Sequence, residues 1–286
     1  MRPFKIAVIT DLHFGPDQGQ KKGSQAARIL TEFSRWCAEM APDVIVNLGD
    51  LIANTDREED LQRIKECSRA FADFGQKVEH IMGNHDEKHE IAVEDWEIEF
   101  GSPFRSRFRD DIHPNYRIIF FSPTFHGGKV RIAGTPLQLF DRELEFLESS
   151  LATNRDCVIC THAPLHRSIW DGSPYWSKVY DTDPKNVSDW KPAKRVRELL
   201  RESRTCTVLS GHHHWDALHV YDDIAFIQIN SATDASITWP EPSGRMGMLT
   251  ISDCNIQWDG RGKSAHHYVL PRRQENRKWI MNWPED

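Results

Sequence analysis

The chain has 286 residues, enough to bury roughly three-quarters of its unfolded surface without disulfides or structural zinc. At 39% hydrophobic and 28% charged residues it has a globular balance, which excludes wholesale disorder. Thirty-six basic against forty-three acidic residues give a net charge of −7, which speaks against a polyanion-coating protein.

The opening MRPFKIAVITDLHF carries too short an apolar run for a secretory signal, since Asp11 and His13 cut it off. No run approaches a membrane span, so a cytoplasmic protein is expected, its six cysteines reduced. In the first half, apolar runs alternate with helical periods. Phe4 to Thr10 reads as a buried strand. Gln25 to Met40 reads as a helix burying Ile29, Leu30, Phe33 and Trp36 and stopped by Pro42, and Val44 to Leu48 as the next strand. Arg57 to Phe74 reads as a second helix with Gly75 as its C-cap, and Val78 to Met82 as a third strand. Strand–helix–strand at this rhythm predicts βαβ units and a parallel sheet.

The middle is less regular. Tyr116 to Phe121 and Lys129 to Ala133 read as strands around a Gly127-Gly128 turn, Asp141 to Leu151 as a helix, and Cys157 to Thr161 as a buried strand. Cys157 and Cys160 look like a metal or redox CxxC, but residues three apart on a strand face opposite ways, so core thiols are expected. Lys194 to Arg201 reads as a helix and Thr205 to Ser210 as a strand. Strand-like runs then dominate: His219 to Tyr221, Ile224 to Ile229, Met246 to Ile251, Asn255 to Trp258 and His267 to Leu270.

Five apolar runs end alike, in Asp11-Leu12-His13, in Asp50, in Asn84-His85-Asp86, in His162 and in His212-His213-His214. Open α/β sheets bind ligands beyond the carboxyl ends of their strands, so the five clusters are expected along one edge. Carboxylate, imidazole and amide oxygen are donors for divalent transition metals. An extended backbone would turn Asp11 and His13 to one side, and His212 and His214 likewise. Gly49, Gly83 and Gly211 precede proposed ligands where a sharp turn must leave the strand. Taken singly, a Gly-Asp is a turn and a strand-end histidine a hydrogen-bonded structural residue. Five in order are not independent accidents.

This series, D-x-H, G-D, G-N-H-D, a strand-terminal His and G-H-x-H, resembles that of the calcineurin-like metallophosphoesterases. The resemblance implies a four-layered α-β-β-α sandwich and two divalent metal ions, with manganese, iron and zinc all compatible. It places Asp11, His13 and His214 on one metal and Asn84, His162 and His212 on the other, bridged by Asp50. It makes His85 the general acid, oriented by Asp86, with a metal-bridged hydroxide attacking phosphorus. The chain is most similar to the class III cyclic nucleotide phosphodiesterase and glycerophosphodiesterase branch, through LFDRELEFLESSLA before CVICTHAPLH and through the strands after G-H-x-H. Hydrolysis of small phosphodiesters, cyclic nucleotides among them, is the implied function.

Ligands from Asp11 to His214 call for one domain over residues 1–286. Residues 163–191 are a candidate lid, bearing Trp170, Tyr175, Trp176, Tyr180 and Trp190, and residues 272–286 a terminal strap with Trp279 and Trp283. His213 and an alternating strip of Arg105, Arg107 and Arg109 are expected to face solvent. His89, His113, His126 and His166 receive no role. The expected partner is a small phosphodiester or nucleotide, with no membrane and no stable nucleic acid, and a homo-oligomer stays open. A DNA-repair-type nuclease of the same superfamily is disfavoured by the missing basic excess. A non-catalytic scaffold on this fold is disfavoured by the intact donor set, and the lipid A pathway pyrophosphatases put Arg where this chain has His85.

Overall fold

The computed structural model describes residues 2–123, 141–165 and 191–272. The expected strand at 129–133 with its Gly127-Gly128 turn, the aromatic body of the lid, the strap beyond 272, and His126 and His166 all lie outside the described residues.

Two six-stranded mixed sheets form the centre. The first contains β1 (Phe4–Ile9), β2 (Val44–Asn47) and β3 (Val78–His80) as parallel neighbours. Their crossovers are α1 (Ala26–Met40) and α2 (Arg57–Ala72), as the βαβ rhythm predicts. Strands β1 and β2 are buried almost throughout, the signature of a parallel sheet covered on both faces. Helix α2 starts where Asp56 accepts from Glu59 N at 3.0 Å, with acidic residues in its first turn matching the helix dipole. It stops at Ala72, short of the expected Phe74.

The second sheet is built on β5 (Tyr116–Phe121), β6 (Asp156–Thr161), β7 (Thr205–Ser210) and β9 (Ile224–Gln228), all parallel. Strands β4 (Arg107–His113) and β8 (Ala217–Tyr221) close its edges antiparallel. The late strands β10 (Met246–Ile251), β11 (Asn255–Arg261) and β12 (His267–Pro271) return to the first sheet, antiparallel alongside β1. Two elements have no apolar run to announce them: β4, a charged edge strand RFRDDIH, and the short helix α3 (Val93–Phe100).

Between the sheets lie Ile6, Val8 and Leu249 from one side and Ile118, Val158 and Ile227 from the other. The outer face of the first sheet packs on α1, α2 and α3 through Ile29, Phe33, Ile64, Phe71 and Trp96. The outer face of the second packs on α4 (Asp141–Leu151) and α5 (Lys191–Glu202) through Leu147, Leu151, Val196 and Leu200. The layers therefore run α-β-β-α, the expected sandwich. Cys157 lies in the helix-facing core and Cys160 in the core between the sheets. Burial pushes both thiols up to about 12, so neither is a ready nucleophile or ligand.

Candidate metal centre

The carboxyl ends of β1, β2, β6 and β7, with the segment after β3, meet at one edge of the sandwich. The exits of β1 and β2 run side by side: Asp11 N donates to Gly49 O at 3.0 Å, His13 N to Asp50 O at 3.0 Å and Phe14 N to Leu51 O at 2.7 Å. The expectation of an extended exit is corrected here. Asp11 (φ 52°), His13 (φ 41°), Asp50 (φ 53°), His212 (φ 75°) and His214 (φ 54°) are all left-handed. Such non-glycine residues cost roughly 1–3 kcal/mol each and gather at functional sites; Asp and His tolerate the region better than most. The alternation of left-handed and ordinary residues, rather than the pleat, aims each pair inward.

Two of the preceding glycines also act differently from the expected turn. A Cβ on Gly211 would lie 2.1 Å from Thr10 Oγ1 and 2.5 Å from Asp11 Oδ2, and one on Gly83 would lie 2.3 Å from both Asp50 N and Asp50 Oδ1. These positions are bare so that ligand side chains can press against the backbone.

The donors converge in overlapping groups. Ligand atoms of Asp11, His13 and His214 lie within 4.8 Å of one another, as do those of Asp50, His162 and His212, and those of His13, Asp50 and His85. The Nε2 atoms of His13 and His214 stand 3.0 Å apart, and Asp11 Oδ1 is 3.3 Å from the latter. On the other side His162 Nε2 is 3.2 Å from Asn84 Oδ1 and 3.2 Å from His212 Nδ1. Asp50 belongs to both sides: its Oδ2 is 3.4 Å from His162 Nε2 and 3.9 Å from His13 Nε2. Its Oδ1 is engaged elsewhere, accepting His85 N at 2.7 Å.

Two of the histidines are held by their far nitrogens. His162 Nδ1 donates to Leu48 O at 2.9 Å, and His214 Nδ1 meets Asp234 Oδ2 at 3.1 Å, the support that metal-ligating imidazoles receive. Burial opposes charge on His162, but the Asp50 and Asp11 carboxylates lift it to about 9. Burial opposes charge on Asp11 and Asp50 too, yet His162 and its neighbours hold both carboxyls below the usual range. Asp11 Oδ1 is buried without a hydrogen-bond partner. This donor set, buried carboxylates and imidazole nitrogens turned toward one another, fits a pair of divalent cations.

Three further expectations are corrected. Asp86 does not orient the His85 ring. Its carboxylate accepts the backbone N–H of Asp50, Leu51 and Gly83, each at 2.8 Å, and so buckles the two strand exits together. Burial and then the Asp50 charge push it up to about 8. His213 is buried rather than exposed, behind His212. The arginine strip is not free in solvent either: Arg107 and Arg109 pair with Glu79 at 2.6 and 2.7 Å, and Arg105 pairs with Glu94 and Glu97.

The ring of His85 is held by Asn54, which the sequence reading missed. Asn54 Nδ2 donates to His85 O at 2.9 Å and Asp60 Oδ2 at 3.1 Å. Both partners only accept, which fixes the amide. Asn54 Oδ1 must then accept from His85 Nδ1 at 2.6 Å, leaving Nε2 as the ring's bare nitrogen. Lys21 Nζ sits 3.2 Å from that nitrogen, and Lys88 Nζ 3.1 Å from Nδ1. Burial, followed by the neighbouring lysines against the Asp50 charge, draws His85 down to about 3. Only the place of Asn54 in the same loop as Asp50 hinted at its role, and nothing in the chain singled out Lys21 or Asp234.

Residues 4–216 match the family model described as calcineurin-like phosphoesterase. No curated protein matches the chain. Among solved structures, the fold is similar to a dimetal phosphatase from Danio rerio, with TM-score 0.69 and 13% identity over 94% of this chain and 99% of that one. It is similar also to GAP50, the anchor in the inner membrane complex of Plasmodium, with TM-score 0.60 and 11% identity over 96% and 91%. A 5'-nucleotidase-like protein from Staphylococcus aureus gives TM-score 0.52 and 11% identity over 96% of this chain and 55% of that one. At these identities the shared feature is the fold.

Proposed function

Because the chain belongs to the calcineurin-like phosphoesterase family, we propose that it is a binuclear metal-dependent phosphoesterase acting on small phosphodiesters, cyclic nucleotides among them, within a single domain over residues 1–286. The observation that carries this reading is Asp50 Oδ2, which faces both donor groups at once. Asp11, His13 and His214 would hold one ion, Asn84, His162 and His212 the other, and Asp50 both. Bound ions of this kind acidify water and neutralise charge on phosphate oxygens.

The chain's own residues supply the rest. His85 turns Nε2 toward the donor cluster; that bare nitrogen must first take a proton from solvent, and the imidazolium so formed then passes it to the departing oxygen, a contribution typically worth about 10²–10⁴ in rate. Asn54 keeps the ring in that orientation. Asp86 holds the exits of Asp50 and Gly83 in register, so the general acid and the bridging carboxylate stay mutually placed.

The scaffold reading shares this fold, as does GAP50. The complete donor set is what supports catalysis. The test is hydrolysis of bis-p-nitrophenyl phosphate by manganese-loaded protein, with His85→Ala beside it. Turnover is expected in the wild type and a loss of at least about 10²-fold in the variant at equal metal content. Metal-loaded protein inert toward mono- and diester panels would sink the reading.

A further inference from the structure

Lys21 is a cation inside the site that the proposed reaction has not used. It projects from a segment fixed on both sides. Gln18 and Lys21 exchange backbone hydrogen bonds at 2.9 and 3.1 Å, Lys22 N donates to Thr233 O at 2.9 Å, and Lys21 pairs with Asp234 across an isolated bridge. Its ammonium is thus placed by the backbone rather than wandering. Among the described residues no carboxylate lies within ion-pairing distance of it, and its one hydrogen-bonded partner is His85 Nε2 at 3.2 Å. The Asp50, Asp11 and Asp234 carboxylates surround it at longer range.

An ammonium has three donors, and the bare nitrogen of His85 takes one. The remaining donors sit next to the atom that would meet the departing oxygen. Lys88 adds a second positive charge behind the same ring. Charge placed this way rewards a substrate that is more anionic than a simple diester.

We propose that Lys21 binds an anionic substrate oxygen on the leaving-group side of the site, and that the preferred substrate carries a second negative charge beside the scissile phosphorus. This rests on the phosphoesterase reading of the site and departs from its expected preference for singly charged diesters. The second charge has two sources, the dianionic phosphoryl group of a monoester or a neighbouring phosphate in the leaving group.

The test compares wild type, Lys21→Met and Lys21→Arg, each manganese-loaded and with metal content measured. The substrates are p-nitrophenyl phosphate, inorganic pyrophosphate and bis-p-nitrophenyl phosphate. A charge-assisted hydrogen bond corresponds to about 10–100-fold in kcat/KM, and Lys21→Met should lose that much on the substrate whose second charge is read. The loss on the singly charged diester should be several-fold smaller, and Lys21→Arg should keep the ranking. The monoester and pyrophosphate arms separate the two sources. Equal losses on all three substrates, or no loss, would overturn the proposal. Orthophosphate titrated calorimetrically into the loaded proteins gives a readout free of turnover, with about tenfold weaker binding expected in Lys21→Met. If loaded wild type hydrolyses nothing, the phosphoesterase reading fails and that calorimetry alone decides: unchanged orthophosphate affinity in Lys21→Met overturns the anion site.

Discussion

Two clusters of charged side chains bind this sandwich together, and they differ in how their charges are settled. At one edge, Glu79 on β3 of the first sheet accepts from Arg107 and Arg109 on β4 of the second, with Lys77 Nζ 3.1 Å away. One carboxylate meets several cations, and the edge strands of the two sheets are clasped. At the other, Asp11, Asp50 and the imidazoles of His13, His162, His212 and His214 turn acceptor atoms toward one another on left-handed backbone. The first cluster is complete as the chain makes it. The second gathers carboxylates and imidazole lone pairs into a set that divalent cations would balance. The difference teaches that charge density alone does not mark a site; unbalanced sign does.

The sharpest way to break the comparison is to remove the shared carboxylate. Asp50→Ala should lower kcat by at least about 10³-fold and leave fewer metal ions per chain by elemental analysis, with the fold intact by circular dichroism. Activity that survives this change would show that Asp50 does not bridge.

The next effect is on stability and belongs to the other cluster. Glu79→Ala strands two arginines, one of them mostly buried, and should cost about 3 kcal/mol in urea unfolding while kcat/KM stays within about twofold. Burial pulls Glu79 upward, but hydrogen bonds and charge from Arg107, then Lys77, hold it below the ordinary glutamate range. A depressed acid stabilises above its unfolded value and loses that contribution as pH falls through the folded one. The gap between wild type and variant should therefore be full at neutral pH and shrink below about pH 4.3. A gap that persists unchanged at pH 3 would mean that packing, not charge, holds the clasp.

The two clusters were also unequally legible in the sequence. The donor positions were visible because each follows an apolar run, and a parallel sheet sends such run ends to one edge. The clasp was not, because β4 is a mostly charged edge strand with only Phe108 and Ile112 apolar, and its partner Glu79 lies some thirty residues earlier; an alternating arginine strip reads as solvated unless the opposite strand is known. Asp86 illustrates the limit at the site itself. Adjacency to His85 suggested a ring contact, yet neighbouring residues on a tight turn diverge, and its carboxylate caps three backbone N–H groups. The ring contact fell to Asn54, which approaches from another loop.

Asn54 supplies the finest test, since it touches neither donor group. Asn54→Ala leaves His85 Nδ1–H without its acceptor and lets the ring turn toward Lys88, so Nε2 no longer faces the site in one orientation. Supporting residues of this kind are worth about 10–100-fold in activity, and the loss should appear in kcat with KM and metal content unchanged. Asn54→Asp restores an acceptor for Nδ1 but sets a carboxylate against Asp60, so it should recover only part of the rate. Its pH–rate profile should also shift alkaline, because a second carboxylate beside the ring favours the imidazolium. A merely structural Asn54 would lower stability and metal content together and leave that profile where it was. The separation of kcat from metal content is therefore what distinguishes a residue that aims the proton donor from one that holds the loop.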